Sequence, residues 1–117
     1  MHELSIAMSL IETASERVLE LGGVRVLAIR VRIGRLSGVV PDALRFSFEL
    51  AAAGTPVEQA RLEIQEIGVT VTCPACGEAA ADDGDLRCPR CHGWAEVTRG
   101  RELELDALEV VDAPANC

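Results

Sequence analysis

The sequence has no tyrosine, one tryptophan and two phenylalanines, so aromatics make up 3% of its 117 residues. A hydrophobic core therefore has to come from Leu, Val, Ile and Ala, and an apolar content of 49% excludes a disordered chain. Basic residues are also scarce: 11 Lys plus Arg against 19 Asp plus Glu leave a net charge of −8. Counterion release on DNA or RNA needs clustered cations, so no nucleic-acid partner is expected, and no anionic membrane surface either. No apolar run approaches the ~18 residues of a spanning helix. The opening stretch, MHELSIAMSLIETASE, lacks the basic region of a signal or transit peptide. A cytoplasmic location is expected. There is no Ser/His/Asp set and no phosphate-cradling glycine loop, so nothing points to an enzyme. In a reducing compartment the five cysteines favour metal over disulfides.

What is present is clear periodicity. Leu4, Ala7, Met8, Ile11, Ala14, Val18 and Leu21 recur at spacings of three and four and predict an amphipathic helix, with Ser5, Ser9, Glu12, Glu16 and Glu20 facing away. Gly22 and Gly23 end it. Leu27, Ile29, Val31 and Ile33 then alternate with Ala28, Arg30 and Arg32, as in a strand with one wet face. Gly34 to Val40 reads as a loop, and Pro41 suits the first position of a second helix carrying Leu44, Phe48, Leu50 and Ala51 inward. A strand follows from Arg61 to Ile67. After Gly100 the alternation resumes, with Leu103, Leu105 and Ala107 against Glu102, Glu104 and Asp106. The expected fold class is α+β: two helices on a small three-stranded sheet. Residues 1–70 and 100–117 form that frame, and residues 71–99 are inserted in it as a zinc-ribbon-like domain.

The insert carries two C-x-x-C knuckles, Cys73 with Cys76 and Cys88 with Cys91, separated by eleven residues. Each pair lets two sulfurs converge, and two pairs complete a tetrahedral thiolate shell. Zinc is the default occupant, and a single iron also suits four thiolates. A shell of four thiolates leaves no open position for catalysis and serves to fold a segment with little core of its own. Arg87, Arg90 and Arg99 are outnumbered in the insert by Glu78, Asp82, Asp83, Asp85 and Glu96, which argues against a nucleic-acid ribbon. His92 stands beside the second knuckle as a hydrogen-bond donor to the cluster, a turn residue or an alternative metal ligand. Cys117 belongs to neither pair and reads as a tail thiol.

His2 occupies a different kind of place. The first amides of a helix have no intrahelical partners. A free Met1 amine, the His2 amide and the His2 imidazole can close fused chelate rings on one ion, with the Glu3 amide or carboxylate as a fourth donor. Such a nitrogen-rich set suits Ni(II) or Cu(II). An exposed side chain is the plainer reading of His2, and a carboxylate placed against the helix dipole that of Glu3.

Together, the MHE start, IGRLSGVVPDALRFSFEL, GTPVEQARLEI, CPAC, CPRC and GRELELDALEV resemble the HypA/HybF hydrogenase maturation factors over Met1 to about Val111. Gln59 departs from the glycine often found there, at a turn. The resemblance implies a nickel-binding α/β domain with a zinc domain inserted near its C-terminal end. It implies nickel at His2, completed by Met1 and the local backbone, with Glu3 as the adjacent acidic residue. Asp42 matches an acidic residue near the nickel site in some members, against its plainer role as a first-turn helix carboxylate. Cys73, Cys76, Cys88 and Cys91 match zinc ligands. The implied function is a nickel metallochaperone with structural Zn2+ and exchangeable Ni2+, serving the large subunit of a nickel-iron hydrogenase with a partner GTPase, HypB. A monomer or weak homodimer is expected. The competing class is a zinc-ribbon interaction adaptor that carries no nickel.

Overall fold

The computed structural model describes residues 2–82 and 84–113. The chain is α+β, two helices with two small sheets. It divides into two compact units, one of residues 2–31, 39–64 and 105–113, the other of Arg32–Gly38 and Gln65–Glu104.

Helix α1 (His2–Leu21) and helix α2 (Pro41–Ala52) belong to the first unit and pack on each other. At the end of α1 the Gly22 amide donates to the Val18 carbonyl at 3.0 Å, and Gly22 and Gly23 both adopt positive φ. The buried face of α1 is Glu3, Ala7, Leu10, Ile11 and Ala14. Leu4, Met8 and Leu21, expected inside, are exposed at 45%, 57% and 46%. Apolar residues ring this helix widely enough that two stripes fit the same spacing. The stripe that packs includes Ala7 and Ala14, small residues that let a neighbouring helix approach closely. On α2, Leu44 and Phe48 are buried as expected, together with Ala52, whereas Leu50 turns to solvent.

The first sheet has the order β2-β1-β6, formed by β1 (Val24–Gly34), β2 (Arg61–Ile67) and β6 (Leu103–Asp112). Strand β1 is central. Ile29, Val31 and Ile33 are buried as the alternation predicts, and so are Val26 and Ala28 on the face expected to be wet. The charged residues of the neighbouring strands pair with one another across the sheet. Arg30 pairs with Glu63 at 3.4 Å, and Arg61 bridges Glu63 at 3.1 Å and Glu109 at 3.5 Å. Along β6 the expected inward set is poorly covered: Leu103 is exposed and Leu105 half-buried, because this strand lies at the sheet edge.

The second unit contains a sheet that periodicity does not announce. Strands β3 (Thr70–Cys73), β4 (Gly77–Ala80) and β5 (Glu96–Arg99) pair antiparallel in the order β4-β3-β5. Val69, Val71, Cys73 and Cys88 are its buried residues. In the same unit Gly34 lies against Gly100: the Gly34 amide donates to the Glu102 carbonyl at 2.8 Å and the Leu36 amide to the Gly100 carbonyl at 2.7 Å. A Cβ on Gly34 would overlap the Gly100 carbonyl, so only glycine fits.

Candidate metal centres

The first knuckle is the turn of a β-hairpin. Strand β3 ends at Cys73, whose register partner is Gly77 at the start of β4, so Cys76 falls inside the reversal. Gly77 takes φ 82°, the conformation a side chain resists. The second knuckle closes on itself: the Cys88 amide donates to the Gly93 carbonyl at 3.0 Å and the His92 amide to the Cys88 carbonyl at 2.9 Å. His92 adopts φ 61° to make this turn, with its side chain exposed. It is a turn residue, outside the sulfur cluster.

The four sulfurs, Sγ of Cys73, Cys76, Cys88 and Cys91, all lie within 4.8 Å of one another. Cys73 and Cys91 are 3.7 Å apart. A metal–sulfur bond of ~2.3 Å in a tetrahedron puts sulfurs about 3.8 Å apart, so the donor set fits one tetrahedral ion. The electrostatics agree. The Cys91 and Arg90 amides aim at the Cys88 sulfur and bring its thiol down to about 6, the Arg90 amide at 3.4 Å. Cys76 is pushed up to about 12 by the sulfurs of Cys91 and Cys88. Without a cation, the Cys88 sulfur ionises readily and the Cys76 sulfur resists; a divalent ion removes that conflict.

One residue of this centre escaped the sequence analysis. The Arg90 guanidinium donates from Nη1 to the Cys76 carbonyl at 2.5 Å and from Nη2 to the Glu78 carbonyl at 3.4 Å, linking the second knuckle to the first. Its position inside CPRC was the available signal.

The second candidate site is the start of α1. His2 is exposed, with 57% of its side chain accessible, and its Nε2 is 3.5 Å from Glu3 Oε2. Glu3, in the first turn of α1, is buried at 7% exposure. Its Oε2 accepts the Val40 amide at 3.1 Å, immediately before α2. That amide, followed by Glu3's own, holds the carboxyl below the usual carboxylate range against the opposing effect of burial. Asp42, in the first turn of α2, has 94% of its side chain accessible and pairs with Arg45 at 2.9 Å. Met1 and Cys117 lie outside the described residues, as does Asp83 of the acidic insert.

The sequence model described as "Hydrogenase/urease nickel incorporation, metallochaperone, hypA" matches residues 1–110. The chain belongs to the HypA family. The hydrogenase maturation factor HypA of Chloroflexus aurantiacus is 51% identical, over 93% of this chain and 98% of its own. That of a Roseiflexus species is 48% identical, over 96% and 94%. Among solved structures, a HypA solution structure superposes with a TM-score of 0.72 at 28% identity, over 95% of this chain and 97% of that one. The structure titled as the Ni metallochaperone HypA from Helicobacter pylori gives 0.67 at 25% identity, over 94% and 97%. This is a family of hydrogenase maturation factors and nickel metallochaperones, and the four cysteines of this chain are placed to hold one metal ion. Among the described residues, no helix is long and apolar enough to cross a membrane.

Proposed function

We propose that this protein is a nickel carrier, taking up Ni(II) at its first residues and delivering it to the large subunit of a nickel-iron hydrogenase in the cytoplasm. His2 anchors the ion with the Met1 amine and the His2 amide. Zinc fills the site of Cys73, Cys76, Cys88 and Cys91 and holds residues 71–99 in shape. Asp42, whose Oδ1 is paired with Arg45, offers its other carboxylate oxygen to the nickel site. A HypB-type GTPase promotes the transfer.

The observation that carries this reading is the contrast between the two donor sets. Four converging thiolates saturate a tetrahedral ion and suit a permanent one. His2 stands in solvent at a helix start, where its amide has no intrahelical partner to lose and nitrogen donors allow exchange. A carrier needs weak, exchangeable binding in one place and stable structure in another.

Nickel titration of tag-free protein tests it. The wild type is expected to bind one exchangeable Ni(II) per chain, and His2→Ala to lose it while zinc content stays the same. A wild type that binds no nickel would leave the adaptor reading in its place, and undiminished nickel binding by His2→Ala would remove His2 as the anchor.

A further inference from the structure

Among the described residues, Glu3 is the charged side chain that the fold buries. A buried carboxylate costs free energy unless donors meet it. Here Oε2 takes the Val40 amide at 3.1 Å, and the same oxygen stands 3.5 Å from Nε2 of His2. The second distance is just beyond hydrogen-bond length, and the exposed imidazole needs only a small rotation to close it.

We propose that Glu3 is a positioning residue for nickel, not a ligand: its carboxylate accepts a hydrogen bond from the Nε2–H of His2 and turns Nδ1 toward the ion. The proposal rests on the reading of His2 as the nickel anchor. Three observations support it. An exchangeable ion must be reached from solvent, and the Glu3 side chain is nearly closed off while His2 is open. Only Nδ1 is near enough to the residue's own amide to share a small chelate ring with it; Nε2 points away from the backbone. Finally, metal-binding histidines as a rule hand their second ring N–H to a carboxylate, which fixes the tautomer and strengthens the donor. Glu3 does this from a fixed point, because the Val40 amide ties it to the start of α2.

The test uses the full chain with its native terminus and needs no nickel for its first readout. In the metal-free wild type, nitrogen NMR of the His2 ring is expected to show the Nε2–H tautomer favoured. In Glu3→Ala the ring should return to the unconstrained mixture. Nickel affinity should fall at least about tenfold in Glu3→Ala, with the nickel absorption bands unmoved because the donors are the same. Glu3→Gln keeps an acceptor oxygen and should recover part of the loss; it serves as the readable variant if Glu3→Ala does not fold. Bands that shift in Glu3→Gln would show a carboxylate oxygen leaving the nickel and would overturn the proposal. So would ring signals indifferent to both variants. Full nickel binding by His2→Ala overturns the reading of His2 as the anchor and this one with it, whereas a failure confined to the Glu3 variants overturns the positioning role alone.

Discussion

The Arg90 side chain reaches the Cys76 carbonyl at 2.5 Å, so the middle of one cysteine knuckle is tied to the backbone of the other. The Cys76 carbonyl sits in the turn whose thiol the sulfurs of Cys91 and Cys88 push up. A guanidinium offers several donors in a fixed plane, and here two of them meet two carbonyls, those of Cys76 and Glu78. We expect Arg90→Ala to weaken retention of the ion about tenfold, the lower end of what supporting residues contribute. Arg90→Lys, which cannot span both carbonyls, should recover little. Competition against a graded series of chelators measures this; equal retention in all three proteins rules the link unimportant.

Arg90 also marks where the sequence stops being legible. The knuckles could be read because C-x-x-C brings two sulfurs together over a few covalent bonds, and strand β2 because seven residues suffice for a period. Arg90's contacts depend on the chain folding back over twelve to fourteen residues, which no local pattern records. Strands β3, β4 and β5, four residues each, are too short to show an alternation. Period without phase explains α1: Met8 and Leu10 both fit a spacing of three and four, and only the packing partner chooses Leu10. Glu3 was hidden for a different reason. A carboxylate in a first helical turn reads as solvated, and its burial is decided by an amide 37 positions away.

Removing the structural ion should unfold the region of β3, β4 and β5 and little else. Its buried side chains are few, and two of them, Cys73 and Cys88, belong to the metal site itself. Such a segment folds on the free energy of metal binding. Strong chelation, or Cys76→Ser, is expected to collapse the amide signals of residues 70–99 toward random-coil positions, while far-UV circular dichroism retains the contribution of α1 and α2. Unchanged amide signals after the ion is stripped would mean that the sheet stands without it.

Acid should selectively erase the contribution of Glu63. Arg61 and then Arg30 hold its carboxyl below the usual range. A carboxyl depressed in the folded state stabilises the fold above its unfolded pKa, about 4.3 for Glu. That contribution fades as pH falls through the lower folded value. Wild type and Glu63→Gln should therefore differ most in stability near neutral pH and converge as pH drops below about 4. Because the three side chains are exposed, the difference should be small and shrink further in salt. Urea unfolding at two pH values and two salt concentrations checks both. A gap that widens in acid contradicts the assignment.

The register of the first residues separates a terminal chelate from a lone histidine. If the Met1 amine, His2 amide and His2 imidazole share one ion, the histidine must stand second from a free amine. A glycine inserted between Met1 and His2 keeps every side chain and changes the ring the ion must close. Acetylating the amine removes one donor and no side chain. The contact between Glu3 and Val40 survives either change, since it begins one residue after His2. Both changes should lower nickel affinity at least tenfold, ~1.4 kcal/mol, and leave zinc content and thermal stability near wild type. A protein holding nickel through the imidazole alone would ignore them, as would an adaptor working through its cysteine knuckles. Calorimetry on tag-free protein decides between them: full nickel affinity in the inserted variant sinks the chelate and leaves the thiolate site untouched.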